Sequence, residues 1–273
     1  MDILELLRLN LFSPMVLAFL LGLIAVWVKS DLSFPKEFSS VVGIYLLFSI
    51  GLKGGAALSS IPVAALVMPI LATLALGAGK AALAFFILSK KFDRDNAAAI
   101  AAHYGSVSAV TFTAALTFAS TRYQNLEGYL PALLAILEVP GIALALALAQ
   151  KGDTHLWREL FTGRSLLMVL GGLAIGLLGG ASGLEQVKPF FIDPFMGILT
   201  LFLLEMGLVA GQRLRDLHGV GVFLLGFAVL VPIINALVAM LLAKAIGLSE
   251  GGGFVFAVMA ASASYIAAPA AVR

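Results

Sequence analysis

Residues 96–119 read NAAAIAAHYGSVSAVTFTAALTFA, an apolar stretch long enough to cross a membrane as a helix, with polar residues at its centre. Ser106 and Ser108 follow a glycine, and Thr111 and Thr113 come next. Small hydroxyl residues at this depth are typical of broken membrane helices, whose free main-chain N–H groups and positive dipole end line a cavity. The alternative is that they only allow close helix packing and hydrogen-bond carbonyls of their own helix.

The rest of the chain has the composition of a helical membrane protein. Hydrophobic residues make up 61% of the 273 positions and charged residues 12%, about half the charged share of a typical soluble domain. No basic patch with interleaved aromatic residues is present, so nucleic acid is not an expected partner. Apolar runs bounded by charge, Gly, Pro and Ser predict nine spans, at residues 14–28, 38–58, 61–89, 96–119, 128–150, 163–181, 190–211, 219–247 and 251–273.

The orientation of the spans follows from the positions of the positive charges. Lys and Arg are enriched in cytoplasmic loops of membrane proteins. With the amino terminus outside, eleven of the 17 Lys and Arg residues fall on the cytoplasmic side. The sequence therefore predicts a multi-pass protein with an external amino terminus.

An internal repeat relates the two halves of the chain at a constant offset of 156 residues. Gly51 of SIGLKGGAAL aligns with Gly207 of EMGLVAGQRL, and the same offset places Ser106 and Ser108 on Ser262 and Ser264 of AASASYIA. Five spans precede the second copy, and because five is odd, that copy has the opposite orientation in the membrane. This is the inverted-repeat organisation of many secondary transporters.

The repeat also predicts how the second copy ends. Adding 156 to residues 129–149 gives a tenth span at 285–305, beyond Arg273. The predicted fold is therefore an all-α polytopic membrane protein with two inverted five-helix repeats. The second repeat lacks its fifth helix, which leaves nine transmembrane helices.

Two facing helix amino termini, each carrying about half a positive charge, would together match a monovalent anion. Glu138 and Glu205 lie within apolar spans, where a carboxylate usually faces a cavity or a partner. Pro140 frees a backbone carbonyl near Glu138, which suggests an oxygen-rich cation site there. The alternative is a structural ion pair with Lys80 or Lys244.

Two further polar features have structural interpretations. His103 lies one turn before Ser106 and could gate protons, although a lone histidine in a bundle is more often a hydrogen-bonded packing residue. Residues 180–183, GASG, match the G-x-S-G of rhomboid-type proteases, but no histidine in the neighbouring spans is available as a base. The chain is therefore not expected to be an enzyme.

Several of these stretches resemble the SbtA-type sodium-dependent bicarbonate transporters of bacteria. The resemblance covers essentially the whole chain, and its most specific part is SASYIAAPAAVR at residues 262–273. The other matching stretches are SIGLKGGAAL, YGSVSAVTFTAAL, the acidic-x-Pro turn at Glu138–Pro140 and LLEMGLVAG.

The resemblance implies that bicarbonate binds where the fourth and ninth helices cross, with sodium beside it as the coupling ion and no other cofactor. Carried over by position, the substrate-binding residues are Ser106, Ser108, Thr111, Ser262 and Ser264, and the sodium-binding residues are Glu138, Ser106 and Ser262. Glu138 stands where the family typically has Asp. The resemblance further implies a homotrimer. It implies regulation by a PII-like protein less directly, because the family's longer cytoplasmic segment after the fifth helix is here a short link.

The resemblance also implies a core domain that moves against a gate domain. The gate domain comprises residues 1–60 and 165–215, the core domain comprises residues 61–150 and 216–273, and a short cytoplasmic link spans residues 151–164. The expected function is sodium-coupled bicarbonate symport by alternating access in the bacterial cytoplasmic (inner) membrane. The alternatives are an inverted-repeat sodium symporter or antiporter for another small anion, and a truncated paralogue that does not transport.

Overall fold

The computed structural model describes residues 12–148, 164–214 and 221–264. The predicted link at residues 151–164, apart from its last residue, and the family-specific stretch at 265–273 lie outside these ranges. Within them, every regular element is a helix, as the composition predicts. The helices are α1 Pro14–Trp27, α2 Phe38–Leu58, α3 Val63–Leu88, α4 Arg94–Gly105, α5 Ala109–Arg122, α6 Leu130–Leu148, α7 Arg164–Phe191, α8 Phe195–Arg213, α9 Val222–Ala245 and α10 Glu250–Ala261.

Six segments of the described chain are long and apolar enough to cross a membrane as helices. These segments are α2, α3, α8, α9, the pair α4 and α5 taken together, and residues Leu167–Phe191 of α7. Three further apolar helices are shorter: α1, the first part of α6, and α10. The chain is therefore a multi-pass membrane protein. The total of nine spans and the inverted repeat remain predictions.

The sixth span was predicted to end at residue 181, and the helix is interrupted at that point. A second helical segment, which the sequence did not predict, continues from the interruption to Phe191. Gly180 interrupts the helix with φ 58° and ψ −160°, a conformation open essentially to glycine alone. Ser182 lies beyond this kink and donates a hydrogen bond to the carbonyl of Gly179, so its hydroxyl is used within its own helix.

The chain divides into two compact units, and the smaller comprises residues 1–46 and 187–227. In it α1 packs on α8. A Cβ atom built on Gly207 would lie 2.1 Å from the carbonyl oxygen of Phe19, and one on Gly22 would lie 2.3 Å from that of Leu204. Only glycine permits such close approach of two backbones. The hydroxyl of Ser39 also hydrogen-bonds the buried Glu205.

The larger unit comprises residues 47–186 and 228–273 and contains the predicted site. Within it α3, α4 and α6 pack against one another, and α10 packs mainly on α5. Alanines dominate the buried face of α4 (Ala97, Ala98, Ala101 and Ala102). Small side chains bring the helix backbones close together. A glycine contact joins α2 to α7 in the same way, because a Cβ atom on Gly176 would lie 2.2 Å from the carbonyl oxygen of Leu52.

The amino end of α10 is fixed by a carboxylate from the loop that follows α5. Glu127 accepts hydrogen bonds from the Ser249 N–H (2.6 Å) and from its hydroxyl (3.0 Å). Ser249 is also the N-cap of α10 and accepts from the N–H of Gly252. A negative charge at this position also complements the helix dipole.

We expect Glu127→Ala to lower the free energy of unfolding by about 1–3 kcal/mol, because it leaves the N–H of Ser249 without its acceptor. Thermal unfolding of the purified protein in detergent measures this. Glu250→Ala is the control, since Glu250 lies at the same helix end with an exposed side chain. Equal unfolding temperatures for the two variants would contradict a stabilising role for Glu127.

Candidate functional site

The predicted break in the fourth span is present in the structure. Helix α4 ends at Gly105, and Ser106 has the extended conformation, with φ −94° and ψ −164°. Ser108 is the N-cap of α5, and its hydroxyl oxygen accepts a hydrogen bond from the N–H of Thr111 at 3.2 Å. The segment from Arg94 to Arg122 therefore consists of two half-helices that meet at its centre.

The corresponding segment of the ninth span also leaves the helical conformation. Helix α10 ends at Ala261, and Ser262 is extended, with φ −83° and ψ 159°. Its N–H still bonds back to Val258 and Met259, which closes the last turn. The second of the two predicted helix amino termini would follow this segment, in residues outside the described ranges.

Hydrogen bonds connect the two interrupted segments directly. The N–H of Ser108 donates to the hydroxyl oxygen of Ser262 at 3.0 Å, and that hydroxyl donates to the carbonyl of Met259 at 2.8 Å. The N–H of Ser264 donates to the carbonyl of His103 at 2.8 Å. The structure thus brings Ser108, Ser262 and Ser264 to one crossing, where the repeat offset had paired Ser262 with Ser106 and Ser264 with Ser108.

His103 has the structural role that its position favoured. Its Nδ1 lies 2.6 Å from the carbonyl oxygen of Ser264. Because a carbonyl oxygen only accepts, Nδ1 must carry the hydrogen. Together with the bond from Ser264 to the His103 carbonyl, this makes a reciprocal connection between the end of α4 and the segment after α10.

Lys80 is the residue at this site that sequence reasoning missed. It lies in α3 with 2% of its surface exposed. Its ammonium donates to the carbonyl oxygens of Ser106 (2.9 Å), Ser262 (3.3 Å) and Met259 (3.5 Å). A lysine in the middle of an apolar span was the available signal, but it suggested only a structural ion pair with one of the buried carboxylates.

The hydroxyl of Ser106 is fully buried, and its oxygen has no hydrogen-bond partner among the described residues. A buried hydroxyl that lacks a partner costs about 1–3 kcal/mol. In native proteins, a buried polar group without a protein partner often bonds an ordered water or an ion. Ser106 therefore has hydrogen-bonding capacity at the break that an anion could use.

Glu138 lies on α6 and is 4% exposed, with one carboxylate oxygen unpartnered in the described chain. The alternative that it pairs with Lys80 is wrong, because the lysine ammonium bonds main-chain carbonyls instead. No hydrogen bond within the described ranges joins Glu138 to Ser106 or Ser262. A sodium site formed by these three residues remains a prediction.

A cavity of about 1040 Å³ adjoins the crossing. Ser108, Thr111 and Ser262 line it at the crossing, while Tyr123, Lys244 and Glu250 also contribute to its walls. Most of the other lining side chains come from α9 and α10 and are apolar. The cavity therefore gives three of the five predicted substrate residues a common accessible surface.

The carboxyl ends of α4 and α10, the amino end of α5 and a buried ammonium thus meet at one point in the larger unit. A comparison with curated proteins gives no match. A family model described as the Na⁺-dependent bicarbonate transporter superfamily matches residues 14–273. With nearly all of its length matched, this multi-pass chain belongs to the Na⁺-dependent bicarbonate transporter superfamily.

Proposed function

We propose that this protein is a sodium-coupled bicarbonate symporter that works by alternating access, and that bicarbonate binds at the crossing of the two interrupted segments. The observation that carries the proposal is the Ser106 hydroxyl, which is buried without a partner beside an ammonium group. Bicarbonate is a small monovalent anion with several oxygen acceptors. Hydroxyl and main-chain N–H donors suit it, and a nearby ammonium favours its negative charge.

Each substrate residue has a specific part in this proposal. Ser106 donates its free hydroxyl, while Ser108 and Thr111 lie at the amino end of α5, where the helix dipole favours negative charge. Ser262 lines the same cavity and lies directly beside Ser108, whose N–H bonds its hydroxyl. Ser264 holds its segment against α4 through its hydrogen bonds with His103. These bonds use main-chain atoms of Ser264, and we propose that Ser264 also contacts the anion, as the family resemblance implies.

Coupling to sodium has a physical reason. Moving one negative charge inward against a membrane potential costs about 2.3 kcal/mol per 100 mV. A sodium ion that moves with the anion cancels this cost, and its own gradient then drives accumulation. Sodium is the coupling ion in the proposal, with the buried carboxylate of Glu138 as its candidate ligand.

The organisation of the two halves supports alternating access. Gly51 packs on α7 and Gly207 packs on α1, so the two glycines related by the repeat offset both make close helix contacts. Inverted repeats commonly form the moving and fixed parts of secondary transporters. We further propose the core and gate domains, the homotrimer, the PII-like regulator, the bacterial inner membrane and the external amino terminus on the strength of the family resemblance.

Uptake of ¹⁴C-bicarbonate into proteoliposomes tests the proposed function. We expect accumulation when sodium is higher outside, and none when choline replaces sodium. Protein-free liposomes control for passive entry of carbon dioxide. Equal accumulation without sodium would contradict coupling, and suppression of uptake by a different anion at lower concentration would favour a symporter for that anion. Absence of uptake under every condition would favour the non-transporting alternative.

A further inference from the structure

The three oxygen atoms around the Lys80 ammonium share one structural feature. Ser106 directly follows the last residue of α4, Met259 lies in the last turn of α10, and Ser262 caps that helix. The last carbonyls of a helix lack the N–H partners that a following turn would supply, although that of Met259 also accepts from the N–H and the hydroxyl of Ser262. The ammonium therefore occupies a point where the carboxyl ends of two helices converge.

The charges at this point nearly balance. Each helix carboxyl end is equivalent to about half a negative charge, so two ends together require about one positive charge. Lys80 supplies it, and its hydrogen-bond partners include no carboxylate. Unwound main-chain carbonyls and half-helix carboxyl ends are also the groups with which transporters coordinate small cations.

From this geometry we propose that the main-chain oxygens of Ser106, Met259 and Ser262 form a cation subsite that Lys80 fills as a built-in cation. The protein itself then supplies the positive charge at this subsite, and no sodium ion is required there. Removing the ammonium while keeping the carbonyls opens the subsite to sodium. The inference concerns cation binding alone, and it stands whether or not the protein transports bicarbonate.

Equilibrium binding of ²²Na⁺ to the purified full chain, without bicarbonate, tests the proposal. Lys80→Gln removes the charge and keeps most of the side chain's volume. We expect this variant to bind about one more sodium ion per chain than the unmodified protein, since about one positive charge is missing. Lys244→Gln is the control, because Lys244 lines the cavity without belonging to the carbonyl cluster, and it should show no gain. Equal sodium binding by Lys80→Gln and the unmodified protein would overturn the proposal.

Lys80→Ala provides a second measurement if the glutamine variant does not fold. This variant leaves space for a small soluble cation. We expect the recovery of monodisperse protein to be restored by sodium chloride or by propylammonium chloride. Choline chloride should not restore it, because the choline cation is too bulky for the subsite. Equal recovery in all three salts would contradict the proposal, as would failure in all three, because a cation subsite must accept a replacement.

Discussion

Gly141→Ala is expected to lower the free energy of unfolding by about 3 kcal/mol or more and to abolish bicarbonate binding. A Cβ atom on Gly141 would lie 2.2 Å from the carbonyl carbon and oxygen of Gly105, the last residue of α4. The obstacle is main chain, so it cannot move aside as a flexible side chain would. Displacing Gly105 also displaces the neighbouring Ser106, whose carbonyl accepts from Lys80.

Gly79→Ala is the matched control, because it makes the same change on an exposed face of α3 where a new Cβ atom meets nothing within 4 Å. Alanine is the better helix former, so we expect this variant to be as stable as the unmodified protein or more stable by up to about 1 kcal/mol. Thermal unfolding in detergent compares the two variants. Similar unfolding temperatures would show that the contact between α4 and α6 is not as close as the structure has it.

Ser106→Ala is expected to weaken bicarbonate binding by about 10-fold to 100-fold, the loss of one hydrogen bond to a charged group. It should leave stability unchanged or raise it, since the buried Ser106 hydroxyl has no partner in the described chain to lose and costs free energy to bury. Equilibrium binding of ¹⁴C-bicarbonate and thermal unfolding, measured on the same preparation, separate the two effects.

Ser262→Ala is expected to differ from Ser106→Ala in its effect on stability. The hydroxyl of Ser262 accepts from the N–H of Ser108, so its removal should reduce both affinity and stability. Ser120→Ala is the control for both variants, because its hydroxyl lies on the exposed end of α5 and bonds only the carbonyl of Thr117. Ser106→Ala with unchanged affinity and lowered stability would remove Ser106 from the anion site.

Much of the helical organisation follows from local sequence. The break at residues 106–108 was predictable because a glycine precedes two serines, and serine favours helix caps over helix interiors. The helical segment that follows the interruption at Gly180 was not predictable in the same way. Ser182, Glu185 and Lys188 look like a loop after an apolar run, but polar residues are equally compatible with an exposed helix end.

The groups that surround Lys80 at the site were harder to predict from the sequence. The partners of Lys80 are main-chain carbonyls that lie 26, 179 and 182 residues away in the chain. Any residue has a carbonyl, so no side-chain pattern identifies these three. The two helix ends must first be placed side by side by tertiary packing. The repeat offset paired Ser106 with Ser262 and Ser108 with Ser264, whereas the structure joins Ser108 to Ser262 through one hydrogen bond. The offset therefore indicated which two segments meet, but not which residues bond across them.

A structure determined with bicarbonate and sodium present would show directly whether the anion binds at the crossing. We expect a planar anion within hydrogen-bond distance of the Ser106 hydroxyl and of at least one of Ser108 and Ser262. Bicarbonate bound elsewhere, with the Ser106 hydroxyl still buried and unpartnered, would contradict this expectation.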